Sequence, residues 1–171
     1  MLSKEYFTKG GKMKKAIKII LGISFIFYIF ILIVILFMRP SGYVYDKSFI
    51  EYIRHSINII PFKTIGTYVK AIFNGNMNMD IPIKNLGGNL ILFLPMGIYL
   101  PFLVRKMNSL KLYSIFMVSF LFGVEAVQLI TRRGSFDIDD FILNILGALI
   151  GFAIWKTKFV QKLLNQEELE R

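Results

Sequence analysis

Residues 19–38 form an uninterrupted run of 20 positions without a charged side chain, directly preceded by Lys4, Lys9, Lys12, Lys14, Lys15 and Lys18. At about 1.5 Å of rise per residue, such a run matches the ~30 Å hydrocarbon thickness of a bilayer, so it reads as a membrane-spanning helix. A cleaved signal peptide would have a shorter apolar region and a small-x-small cleavage site, and none precedes Arg39 and Pro40. An uncleaved signal anchor is therefore expected.

Three further runs have spanning length. Residues 86–104 are broken by Asn89, Pro95, Gly97 and Pro101; residues 112–130 hold Glu125 and Gln128; residues 136–155 are acidic at the start and apolar from Phe141 on. With 55% hydrophobic residues and a mean hydropathy of +0.58, the chain is too apolar for one soluble core. The expected fold class is an all-α integral membrane protein: a four-transmembrane-helix bundle with an amphipathic, partly helical outer loop. Its parts are a basic cytoplasmic N-terminus (1–18), the first span (19–38), the outer loop (39–85), the three later spans and a cytoplasmic tail (156–171). Ile50, Ile53, Ile57 and Ile60 have helical spacing ahead of Pro61, which suits interfacial helices within the loop.

The formal net charge of +10 does not point to nucleic acid, because the basic residues sit in short clusters beside apolar runs. Segments 1–18, 105–111 and 156–171 hold 13 of the 21 Lys and Arg residues in 41 positions, and the other connections hold 8 in 52. The denser set is expected in the cytoplasm, with both termini inside. The absence of cysteine excludes a disulfide framework and Cys-ligated metal, and the single His55 excludes a histidine-rich site. His55 reads as an interfacial loop residue and Trp155, among lysines, as an interfacial anchor.

The polar residues within the runs demand explanation. Glu125 lies about 8 Å below the outer end of the third span, where an ionisable group normally faces the bundle interior and a partner. Gln128 and Arg132 share its stripe, three and seven residues on. On the fourth run Asp137, Asp140, Asn144, Gly147 and Gly151 fall on one face, and Asp139 points away from it. Gly147 and Gly151 form a small-xxx-small pair that admits another helix. Asn85 and Asn89 stand one turn apart on the second run. Simpler roles stay open: Asp137 and Asp140 suit a helix N-terminus, Glu125 could pair with Arg132 or Arg133, and the amides could bridge helices.

The order of these pieces resembles the VanZ-like family of bacterial membrane proteins, named for a protein associated with resistance to the glycopeptide teicoplanin. The resemblance runs from Ile57 to Gly151. It rests on Asn58, Pro61 and Phe62; on Asn85, Asn89, Phe93, Pro95, Gly97 and Pro101; on Ser119, Glu125 and Gln128; and on Arg133, Asp137, Asp139, Asp140, Asn144, Gly147 and Gly151. It implies a multi-pass plasma-membrane protein with an envelope role and supplies no reaction.

Three functions follow as expectations. The leading one is a non-enzymatic envelope protein contributing to teicoplanin or lipoglycopeptide resistance. Asn85, Asn89, Glu125, Gln128, Arg132, Arg133, Asp137, Asp139, Asp140 and Asn144 would line an outward pocket for a lipid head group, a lipid-linked cell-wall precursor or a lipoglycopeptide, with the arginines on ligand anions. No cofactor is expected on this reading. The second is a membrane enzyme acting on a lipid-linked phosphate, with Mg2+ held by Asp137, Asp140 and Glu125 and the phosphate by Arg133. The third is a structural subunit packing through Gly147 and Gly151.

Overall fold

The computed structural model describes the backbone of residues 2–38 and 48–164, with side chains from residue 15 onward. Lys4, Lys9, Lys12, Lys14, Arg39, Pro40 and the end of the tail lie outside the side chains so described. Four helical segments are long and apolar enough to cross a membrane: Lys15–Phe37, Asp80–Leu103, Leu110–Ile130 and Ile138–Trp155. The protein is an all-α membrane protein.

The first span is the apolar part of one helix, α1 (Leu2–Phe37), which continues without a break from the basic N-terminal segment. Two short helices follow, α2 (Phe49–Ser56) and α3 (Lys63–Asn74). Ser48 caps α2 by accepting the Glu51 amide (3.3 Å), and Gly75, at φ +66°, closes α3 in the left-handed conformation that glycine tolerates. α2 ends well before Pro61, because Ile57–Asn58 (β1) pairs in parallel with Phe136–Asp137 (β2). This tiny bridge ties the loop to the start of the last span.

The second span differs from the single helix expected over 86–104. It begins at Asp80 as α4 (Asp80–Leu92), breaks at residues 93–95 and resumes as α5 (Met96–Leu103). Pro95 has no amide to continue the ladder, and Leu94 donates to Ile91 instead (3.2 Å). A short 3-10 turn (Arg105–Asn108) leads into α6 (Leu110–Ile130), and α7 (Ile138–Trp155) returns antiparallel to it, followed by α8 (Lys158–Leu163).

α7 is the hub, packed chiefly on α4, α5 and α6. Its glycines make the closest of these contacts. A Cβ on Gly147 would lie 1.9 Å from the Leu90 carbonyl oxygen, one on Gly151 1.9 Å from that of Leu94, and one on Gly97 2.2 Å from the Phe152 nitrogen. Only hydrogen at these positions lets the two backbones meet, the geometry expected of small residues between spans. Below this seam, Phe93, Met96, Leu100, Tyr113, Met117, Leu121, Ala148 and Phe152 form the core, with Leu32 from α1. The Tyr113 hydroxyl donates to the Ala148 carbonyl (3.1 Å), and its ring stacks on Phe152.

α1 joins the bundle through polar contacts at its apolar surface: Tyr28 donates to the Leu92 carbonyl (2.7 Å), and Tyr99 to Ser24 Oγ (3.1 Å). At the opposite end from β1 and β2, Trp155 departs from the interfacial anchor expected of it. It is buried, edge-on to Phe102, and donates to Asn108 Oδ1 (2.7 Å), whose amide in turn donates to the Pro101 carbonyl (3.1 Å).

Candidate functional site

The end of the bundle that carries α2 and α3 holds five buried polar residues: Ser56, Glu125, Asp137, Asp139 and Asn144. Asp139 is the most deeply placed, at 1% exposure. Off the face shared by Asp137 and Asp140, its carboxylate turns toward the N-terminus of α3 and accepts the amides of Phe62 (2.6 Å), Thr64 (2.8 Å) and Ile65 (3.0 Å). Those amides have no partner within their own helix, and the helix dipole favours a negative charge there. Phe62 takes a left-handed φ of +63° to aim its N–H at this carboxylate, a conformation uncommon for a bulky residue.

Asp137 completes the clasp. Its Oδ1 accepts the Asn58 amide (3.1 Å) and the Asp139 backbone amide (2.9 Å), and its Oδ2 accepts the Thr64 hydroxyl (2.6 Å). Asn58 also donates to Thr64 Oγ1 (3.0 Å). Asp137 caps α7 and holds the loop at once. The sequence pattern contained Asn58 and Asp137 but not Thr64, since a threonine near a helix start is too common to stand out.

Glu125, Asp140, Asn89 and Asn144 form the inner part of the cluster. Asn89 on α4 donates to the Asp140 carboxylate on α7. The acidic residues acting on Glu125 are Asp140 and Asp137. Glu125 Oε2 is buried without a hydrogen-bond partner, as are Asn144 Oδ1 and Ser56 Oγ. Buried acceptors of this kind are costly unless something donates to them.

The remaining sequence candidates lie elsewhere. Gln128 donates to the Leu36 carbonyl (2.9 Å) and so holds α1. Asn85 folds back onto its own helix, donating to the Ile81 carbonyl (2.8 Å). α6 ends at Ile130, so the Glu125 stripe does not reach the arginines as helix. Arg132, at φ +54°, lies over the rings of Phe49 (5.5 Å) and Tyr52 (5.6 Å), a cation–π arrangement with α2. Tyr52 donates to the Gly134 carbonyl. Arg133 is exposed. Among the described residues no group of three His, Cys, Asp or Glu is arranged to hold a metal ion, and both oxygens of Asp137 are already engaged by protein donors.

A family model described as VanZ/LLP1 matches residues 25–161. No curated protein and no solved structure matches the chain.

Proposed function

The chain belongs to the VanZ/LLP1 family, and we propose that it is a plasma-membrane protein of the bacterial envelope that binds an envelope ligand in the polar cluster beside α2 and α3. On this reading both termini are cytoplasmic and the cluster opens outward, in keeping with the denser lysines and arginines on the other side. The bound group is part of a lipid head group, a cell-wall precursor or a lipoglycopeptide, and holding it lowers the sensitivity of the cell to glycopeptides such as teicoplanin.

The observation that supports a binding role is the division of labour among the acidic residues. Asp137 and Asp139 are fully occupied in fastening the loop, whereas Glu125 Oε2 and Asn144 Oδ1 are buried acceptors with no donor. The clasp fastens the start of α3 to the start of α7, and on this reading a ligand reaching buried Glu125 is held in a largely water-excluded site where each hydrogen bond counts for more.

The test is to express the protein and its Glu125→Gln variant at equal membrane levels in a glycopeptide-sensitive host, and to measure drug tolerance and labelled drug bound at the cell surface. The reading expects wild type to change both and Glu125→Gln to lose the change. Equal behaviour of the two proteins, both folded, would reject it.

A further inference from the structure

The inner cluster is unbalanced in hydrogen bonding. Glu125 and Asn144 are 5% and 4% exposed, and the oxygen of each that lacks a donor is fully buried. Helical side chains lean toward the N-terminus of their own helix, and α6 and α7 run antiparallel, so Glu125 and Asn144 lean toward one another across the interface. Asp140 stands one turn from Asn144 on the same helix face, and its charge bears on Glu125. The charges bearing on Asp140 are in turn Asp137 and Asp139.

The atoms of this set left without a partner, Glu125 Oε2 and Asn144 Oδ1, are both acceptors, and the Asn89 amide is already spent on Asp140. Arg133 is exposed. The positive end of α3 is used up by Asp139. A phosphate or carboxylate would bring further acceptors to a place whose unpartnered atoms are acceptors and whose neighbouring side chains, Asp137, Asp139 and Asp140, are acidic. A primary ammonium brings three N–H donors and the compensating charge. Exposed Ile59, Ile60 and Phe62 on the covering loop supply apolar surface for a chain attached to such a group.

Building on the binding role proposed above, we propose that the recess formed by Glu125, Asp140 and Asn144 takes the protonated primary amine of an envelope amphiphile. The ammonium donates to Glu125 Oε2 and Asn144 Oδ1, and Asp140 is the second acidic group beside it. The ligand enters by its cationic end, in contrast to the arginine-on-anion pairing that the sequence suggested.

The full chain in maltoside micelles is titrated with dodecylammonium, dodecyltrimethylammonium, dodecyl sulfate and Mg2+, and binding is read by calorimetry. Dodecylammonium is expected to bind at least about tenfold more tightly than its trimethyl analogue, which keeps the charge but has no N–H, and Glu125→Gln and Asn144→Leu should each remove about tenfold. The comparison within wild type stands whether or not a variant folds. Equal affinity for the two cations, preference for the sulfate, or saturable Mg2+ binding that excludes dodecylammonium would each overturn the ammonium assignment. Sulfate binding lost in Glu125→Gln would overturn it while leaving a ligand site in place. No binding by any probe, together with unchanged drug binding in Glu125→Gln cells, would remove both readings.

Discussion

The carboxylate of Asp139 accepts the backbone amide of Phe62 at 2.6 Å, joining positions 77 residues apart. With the amides of Thr64 and Ile65 on the same carboxylate, this contact makes the covering loop and the last span one mechanical unit. Asp139→Ala leaves three part-buried amides without an acceptor and is expected to cost about 3 kcal/mol, allowing for partial rehydration. Asp139→Asn, which keeps one carbonyl acceptor but loses the charge at the helix N-terminus, should cost less. Thermal unfolding in detergent micelles gives the order wild type, Asn, Ala.

Steric demand along α7 makes a second prediction. Gly147→Ala and Gly151→Ala each force a methyl against a carbonyl oxygen of α4 or its break, and each should lower stability by about 1–3 kcal/mol. Gly123→Ala, on α6 with nothing within 4 Å of the new Cβ, should be neutral or slightly stabilising through helix propensity. If all three alanine variants unfold at the same temperature, the seam between α4, α5 and α7 is not as close as described.

Membrane orientation is directly testable because the chain has no native cysteine. Asn76, in the connection between α3 and α4, and Lys111, in the first turn of α6, are both exposed and lie at opposite ends of the bundle. On intact cells a membrane-impermeant maleimide is expected to label Asn76→Cys and to spare Lys111→Cys until the membrane is opened. The reverse pattern would place the polar cluster on the cytoplasmic side.

The arginines and the inner carboxylate should separate in function. Arg132→Ala removes contacts with the Phe49 and Tyr52 rings and is expected to cost about 0.5–1 kcal/mol of stability at this partly exposed site. Both Arg132→Ala and Arg133→Ala should leave most surface drug binding intact, in contrast to Glu125→Gln. Loss of binding in the arginine variants at normal protein level would restore an anion-binding role to them.

The four spans were legible from the sequence because each is a run of apolar residues long enough for a bilayer, a signal that does not depend on tertiary contacts. The Gly147 and Gly151 pair was legible for a related reason: its spacing fixes a face, and that face meets Leu90 and Leu94. The break at Pro95 was visible as a proline, but its outcome, two helices starting six positions before the apolar run, was not, since the polar residues 80–85 look like loop by hydropathy. Helical spacing grouped Asp137 with Asp140 and set Asp139 apart, whereas Asp137 and Asp139 fasten the same loop, and it gave no hint of where Asp139 went. Its partner is a set of backbone amides, which no side-chain pattern records. The same limit applies to Arg132. Projecting the Glu125 stripe assumed a helix that ends at Ile130, and the left-handed turn beyond it sends the guanidinium to α2 instead.

The central claim is that Glu125 Oε2 and Asn144 Oδ1 face a bound group of an envelope molecule. The most direct measurement is a cryo-electron microscopy map of the protein extracted with its native lipids, inspected at this recess. The account predicts density continuous with a lipid or peptide, with a donor atom within hydrogen-bond distance of Glu125 Oε2. A recess closed by the protein's own side chains, with Glu125 and Asn144 satisfied by each other or by protein donors, would contradict it.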